Sequence, residues 1–420
     1  MSSPLPALAQ TARFQEKRGA ILGAAAQLFN EHGLRGATLA DIAGSVGLVT
    51  NSVTYYYRKK EDLAAACMLR SIASFDAVAA EAARSPGVSE RLRAFFRGHA
   101  QVLVDIAAGR HAPLIAFNDI RALPEPQASV AFDAYTAMFR RVRTLLRGTE
   151  TAHLGRNDLN ARAHLVLSIV NWMGPWMGRY EVGEYPRIAD RVCDILVHGM
   201  AGPRATWSAT RLDSAQRPSA SVDSTSGAFL RVATALINEQ GYRGASVDKI
   251  SARLNLTKGS FYHHHGNKHD LISACFERTF GVMRQALIAA EVGTGSGWQR
   301  ACDIARELVG FQLSANGPLL RATATSALPD ATQRKHVRAT LRRLTERMNS
   351  IVIDGMIDGS IRPLDPAIAA QTTIAAINAA AELHRWVPGV TAETAADLYA
   401  RPAFEGVLCL SASRTPTDLS

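Results

Sequence analysis

Apolar residues recur along this chain at three- and four-residue intervals and almost nowhere in strict alternation. That period puts them on one face of a helix. Ile21, Ala25, Leu28 and Phe29 form the first such face, in a helix expected over Phe14 to His32 and ended by Gly33. Thr38 and Ser246 each precede a short amphipathic stretch. Their side-chain oxygens can accept from an orphaned first-turn amide, so both are expected N-caps. Longer helices follow at about 60–83, 88–108, 125–147, 158–178 and 187–201. A second set follows at about 268–291, 297–314, 330–358, 366–386 and 392–411. Pro86, Pro113, Pro124, Pro186, Pro318, Pro329, Pro363 and Pro366 fall at the breaks, where a missing N–H does no harm. Gly355 and Gly359 are expected at the frayed end of a long helix. No segment reads as a strand, so the expected fold class is all-α.

The order of elements runs through the chain twice. Displaced by 208 residues, positions 20–63 fall on 228–271 without a gap, and 16 of those 44 positions are identical. The centre of the match is Asn30-Glu31-His32-Gly33-Leu34-Arg35-Gly36-Ala37 against Asn238-Glu239-Gln240-Gly241-Tyr242-Arg243-Gly244-Ala245. An offset near half the chain length means duplication of a whole unit, not a short solenoid period. Between the units, residues 202–222 are rich in Ser, Thr, Ala, Asp and Gln, with Pro203 and Pro218, and lose apolar periodicity. Such a composition reads as a linker. Some twenty extended residues reach at most about 65 Å, enough for the units to pair or to stand apart.

The 420 residues carry a net charge of +10, which suits a polyanionic partner. Cys67, Cys193, Cys275, Cys302 and Cys409 are odd in number and form no CxxC pair. They read as free thiols rather than a disulfide or zinc framework. No apolar run reaches the roughly 18 residues that span a bilayer. Met1 to Gln15 contains no signal-peptide core. The expected location is cytoplasmic, with no membrane partner.

Within each repeat, a helix ending in Gly leads to a short helix, a tight turn and another short helix. In the first copy these are Leu39 to Val46, a turn at Gly47, and a helix from near Val49; in the second, Val247 to Leu254, Asn255, and a helix from near Thr257. Two short helices on a tight turn match the helix-turn-helix, whose second helix reads the major groove. Leu256-Thr257-Lys258-Gly259-Ser260-Phe261-Tyr262-His263-His264-His265, with Asn267-Lys268 after it, resembles the recognition helix of the TetR/AcrR family of bacterial regulators. The first copy reads Gly47-Leu48-Val49-Thr50-Asn51-Ser52-Val53-Thr54-Tyr55-Tyr56-Tyr57, then Lys60. It departs where the family has a groove-facing Tyr (Thr54 here) and a capping Ser or Thr (Val49 here).

The resemblance implies two tandem units, each a three-helix head with a helical ligand-binding and dimerisation core. The expected boundaries are heads at 14–63 and 223–271 and cores at 64–201 and 272–412. Expected DNA contacts are Thr50, Asn51, Ser52, Thr54, Tyr55, Tyr56 and Lys60 in the first head. In the second they are Thr257, Lys258, Gly259, Ser260, Tyr262, His263, His264 and Lys268. Hydroxyls, lysines and tyrosines suit phosphates and base edges, and Gly259 allows close approach. Val53, Tyr57, Phe261 and His265 are expected to pack the heads. Three adjacent histidines point in different directions along a helix, so no metal site is expected; nor is a cofactor.

By the same resemblance, the last two helices of each unit, about 158–201 and 366–411, form the dimer bundle, within one chain or between two. Small residues such as Ala375, Ala376, Ala379 and Ala380 permit close approach there. Effector pockets would lie behind the heads, with Phe96, His99, Phe117, Tyr135, Phe139 and Trp172 in the first unit and Met283 and Phe311 in the second. A small apolar effector is the expected partner besides operator DNA. No GxSxG, HExxH, Walker or GxGxxG motif marks an enzyme. The function expected is a ligand-released repressor. The alternative is a ligand-sensing or scaffold protein with one degenerate head and little DNA binding.

Overall fold

The computed structural model describes residues 5–115, 117, 120, 123–207, 225–259, 262, 267–328 and 330–409. Among them there is no strand, only an isolated bridge between Ala201 and Ile361. The first unit runs α1 Leu5–Gly36, α2 Leu39–Ser45, α3 Thr50–Tyr56, α4 Lys60–Ala82, α5 Val88–Ala107, α6 Gln127–Leu145, α7 Arg156–Met177 and α8 Tyr185–His198. The second runs α9 Thr225–Gly244, α10 Val247–Arg253, α11 Lys268–Val292, α12 Gly297–Leu313, α13 Ala331–Ile357, α14 Pro366–Ala379 and α15 Arg401–Glu405. Two tandem all-α units are thus present.

The expected caps form. Thr38 Oγ1 accepts from Asp41 N at 3.1 Å, and Asp41 Oδ2 returns the bond to Thr38 N at 3.0 Å. Ser246 Oγ accepts from Lys249 N at 3.2 Å. Behind the first head, α4 and α6 run parallel. Gln127 Nε2 donates to Asp62 Oδ1 at 2.7 Å near the head, and Arg141 Nε meets Asp76 Oδ1 at 2.6 Å fourteen residues further along both helices. At 1.5 Å per residue, the C-terminal end of α6 lies roughly 28 Å from its head-proximal start.

Several expectations need correction. Helix α1 starts at Leu5, not Phe14, because Pro6 falls in a first turn that needs no N–H from it. The single helix expected over 392–411 is broken into a π turn at Ala396–Ala400 and the short α15, ended by Gly406 at φ 97°. Pro402 in the first turn of α15 cannot donate back into that π turn. Helix α14 tightens into a 3-10 segment at Ala380–Arg385. Gly355 is not at a frayed end: it lies inside α13, where Gly297 of α12 crosses against its backbone. The linker starts later than composition implied, because 202–207 is tied to the second unit. Gly202 N donates to Ser360 O at 2.8 Å, Trp207 Nε1 to Asp397 Oδ1 at 2.7 Å, and Trp298 Nε1 to Thr206 O at 2.9 Å. Residues 208–222 of that linker lie outside the described residues. Finally, α4 is long and apolar enough to cross a membrane. Here it packs against α1, α5 and α6, with Leu63, Met68, Ile72 and Phe75 buried.

The last helices of the two units meet. Helix α7 packs on α14 and the π turn, and α8 packs on α14 and α15. Helix α14 is buried on all sides, Ile368 through Ile377, as a helix apolar all round requires. Backbone bonds cross the seam: Met200 N to Phe404 O at 2.7 Å, Val407 N to Leu196 O at 2.8 Å, Arg362 N to Met200 O at 3.0 Å. Side chains add Asn160 Nδ2 to Trp386 O at 2.7 Å, Arg162 Nε to Val407 O at 2.8 Å and Arg191 Nη1 to Asp365 Oδ2 at 2.7 Å. The five cysteines are free; burial pushes the thiols of Cys67 and Cys193 up to about 12.

The α12–α13 crossing gives a stability test. A Cβ on Gly297 would collide with the Gly355 backbone, whereas one on Gly281 of α11 meets nothing within 4 Å. Gly297→Ala is expected to cost about 1–3 kcal/mol. Gly281→Ala is expected to gain about 0.5–1 kcal/mol from helix propensity. Urea denaturation of both variants checks the pair.

Candidate nucleic-acid interface

Each head is built on a tight turn that demands a left-handed residue. Gly47 supplies it in the first head at φ 66° and Asn255 in the second at φ 54°; Gly and Asn are the residues that tolerate this region. The turn sets α3 across α2, with Ile42, Ala43, Val53 and Tyr57 buried. Tyr57 accepts from Arg18 Nε at 3.0 Å, so the expected packing role of Val53 and Tyr57 is met. Val49 gives α3 no side-chain cap.

Helix α3 turns Thr50, Asn51 and Tyr55 outward, and Tyr55 is 76% exposed. Ser52, Thr54 and Tyr56 are half-buried. Thr54 Oγ1 donates to Asn51 O at 3.0 Å, and Tyr56 packs on Phe14 with ring centroids 4.7 Å apart. Lys60 is occupied: its Nζ donates to Ala37 O at 3.1 Å, tying α4 to the end of α1. Arg58 and Lys59 beside it are exposed and were missed, although the run Arg58-Lys59-Lys60 is a visible basic signal.

In the second head, Thr257, Lys258 and Gly259 are exposed, and Tyr262 is 56% exposed. Lys258 Nζ lies 2.5 Å from Asp248 Oδ1 at the surface. Lys268 Nζ sits 4.2 Å from the Tyr242 ring centroid, and Tyr242 Oη lies 2.8 Å from His269 Nδ1. Lys60 and Lys268 therefore both begin a helix by fastening it to the head. Ser260, His263 and His264, and also Phe261 and His265, lie outside the described residues.

A family model described as bacterial regulatory proteins of the tetR family matches residues 21–67 and again 229–275, the two heads just described. Both heads are thus heads of the tetR family, present as a tandem duplication. It is similar to the transposon Tn10 TetC protein of Escherichia coli, 28% identical over 142 residues, which is 34% of this chain and 71% of that protein. Among solved structures it is similar to PfmR, a TetR family regulator of Thermus thermophilus, with 22% identity, TM-score 0.33, and coverage of 42% of this chain and 95% of PfmR. It is also similar to AibR, solved in complex with isovaleryl coenzyme A and operator DNA, with 21% identity, TM-score 0.33, and coverage of 41% and 94%. With its two tetR-type heads, the chain is a DNA-binding transcriptional regulator.

Behind the first tetR-type head, the expected effector residues form an aromatic file. His99 lies 4.7 Å from Phe75, Phe75 5.1 Å from Phe117, and Phe117 5.3 Å from Tyr135, between ring centroids. Its far end was not anticipated. Trp386 of the second unit stacks on Phe139 at 3.7 Å and an interplanar angle of 12°, and lies 5.8 Å from Tyr135. Phe96 is buried beside Phe95. Trp172 leaves the file, donating from Nε1 to Gln371 Oε1 of the second unit at 3.3 Å. In the second unit Met283 is buried, and Phe311 lies under the Arg278 guanidinium at 5.4 Å.

Burial pulls His99 down to about 3 and also lowers His164. Both rings stay neutral in the fold, while the unfolded chain protonates them below about pH 6.5. Their folded pKa is depressed, so their contribution is intact above pH 6.5 and is lost as pH falls toward the folded value. For His99, going from pH 7 to pH 5 is expected to cost about 2 kcal/mol. His99→Gln should remove that share of the pH dependence. Chemical denaturation at the two pH values measures it; an unchanged difference between them in the variant contradicts this assignment.

Proposed function

We propose that this regulator is a cytoplasmic repressor whose two units pair within one chain over one operator at the nucleoid, and that a small apolar effector releases it. The reading divides the chain into heads at 14–63 and 223–271 and cores at 64–201 and 272–412. The observation that carries it is the seam between the units, where α7 and α8 meet α14 and α15. One polypeptide then presents two heads. Tethering makes the pairing independent of protein concentration.

The heads are unequal, and the operator is expected to be an imperfect palindrome. Thr50, Asn51 and Thr54 correspond to positions held by Lys258, Gly259 and Tyr262 in the other head. The exposed side chains Thr50, Asn51, Tyr55, Thr257, Lys258 and Tyr262, the half-buried Ser52, and by their place in the sequence Ser260, His263 and His264, are the proposed DNA contacts. Thr54 and Tyr56 stand at the edge of this surface. Thr54 turns its hydroxyl back to its own helix, so the first head contributes less. An apolar effector in the file of His99, Phe117 and Tyr135 would have to shift Trp386 of the other unit, linking occupancy to the seam that sets head spacing.

Selection from a random DNA pool, followed by quantitative binding at two salt concentrations, tests the reading. Tyr262→Ala is expected to weaken the selected site by about 1–3 kcal/mol, and Thr54→Ala by visibly less. Lys258→Ala is expected to reduce the salt slope by about one. Equal losses from the two head variants, or selection of a perfect inverted repeat, contradict the asymmetry. Absence of any selected sequence overturns the repressor reading. Release is tested by screening apolar compounds for loss of operator binding, with the effect abolished by Tyr135→Ala.

A further inference from the structure

The first unit carries a basic cleft far from its head. Arg143, Arg147 and Arg156 line it with Gly148, Thr151 and Leu159, and it encloses about 630 Å³. Arg140 and Arg143 stand one turn apart near the end of α6, and Arg147 follows in the turn after it. Arg156 approaches across the turn at the start of α7. No ion pair involves any of these four among the described residues. Burial lowers the pKa of Arg143, and the charges that act on it, Arg147, Arg156 and Arg140, are all of like sign and lower it further.

The nearby carboxylates are committed elsewhere. Glu150 is held by the backbone amides of Glu150 and Val88 and lies near Arg91. Asp158 accepts from Gly155 N at 3.2 Å and lies 3.7 Å from Arg162 Nη1. The matching helix end in the second unit is of opposite character. There Asp354 meets Arg300 at 3.3 Å, and Asp358 accepts from Gly297 N at 2.8 Å. The cleft at the start of α14 is lined by Arg93, Arg187 and Arg191 but equally by Asp190, Asp194 and Asp365, and Arg191 pairs with Asp365 at 2.7 Å. The end of α6 thus differs from its counterpart in the second unit and from the other cleft, in both of which carboxylates stand among the arginines.

We propose that this cleft binds a diphosphate-bearing small molecule. Guanidinium groups pair with phosphate oxygens in a planar, bidentate fashion. Three guanidinium groups, Arg143, Arg147 and Arg156, line one cleft, and their combined charge and donors suit two phosphate groups rather than one. Operator DNA is excluded as the occupant, because the cleft lies at the end of α6 opposite Gln127 and the head. Arg143 Nη1 also donates to Asn160 Oδ1 at 2.8 Å, and Asn160 holds the Trp386 carbonyl, so the site adjoins the seam.

Isothermal titration of the full chain with pyrophosphate and with ADP, at fixed ionic strength and with sulfate as control, tests the site. One saturable event that sulfate does not reproduce is expected. Arg147→Ala combined with Arg156→Ala, both exposed positions, should weaken it at least tenfold. Arg187→Ala in the charge-balanced cleft should leave it unchanged. Circular dichroism melts confirm that the variants fold, and Arg156→Gln alone gives a milder second test. Equal binding by wild type and the double variant, or weak unsaturable binding shared with sulfate, overturns the proposal. Because no DNA is present, this result is independent of operator recognition and of the apolar effector.

Discussion

Arg162 lies between the two units, 1% exposed, with Nε donating to Val407 O at 2.8 Å and Nη2 to Cys409 O at 3.0 Å. A buried guanidinium left without such partners would cost several kcal/mol, so any slip of the second unit's end along α7 is opposed. Asn160, just before it on α7, fixes the Trp386 carbonyl, and His164 lies 2.9 Å from Ala379 O. Three neighbouring side chains of α7 thus hold backbone carbonyls of the second unit. Apolar burial around α14 supplies the attraction; these polar contacts supply one register.

That register carries the rest of the molecule. It delivers Trp386 to the end of the first unit's aromatic file, where it stacks on Phe139. It also joins both cores so that the heads, each hung on its own α4 or α11, are held by one body. Fusion frees the two units from being identical, and they have diverged at positions that a symmetric dimer would have to share. The recognition helices differ, and the ends of α6 and α13 carry arginines in one unit and aspartates in the other.

The repeat, the all-α class and the head anatomy were legible in the sequence because they rest on local rules. Thr38 and Ser246 cap as their position dictates, and Gly47 and Asn255 occupy the same left-handed turn. Tertiary choices were less legible. Lys60 looked like a phosphate contact but bonds Ala37 O, which depends on how α4 folds back on α1. Trp172 looked like a pocket residue but faces Gln371, and Trp386 looked like a bundle residue but reaches the first unit's file. Both depend on a surface from the other half of the chain. The broken last helix was hidden because Pro402 reads equally as a helix start or a helix break.

The claim on which everything else stands is that one chain satisfies its own dimer seam. Light scattering at low micromolar concentration, repeated on dilution, measures this directly. A species near the chain mass of 45.2 kDa, unchanged by dilution, is expected. A stable species at twice that mass would mean that the seam joins two chains, and would contradict the account.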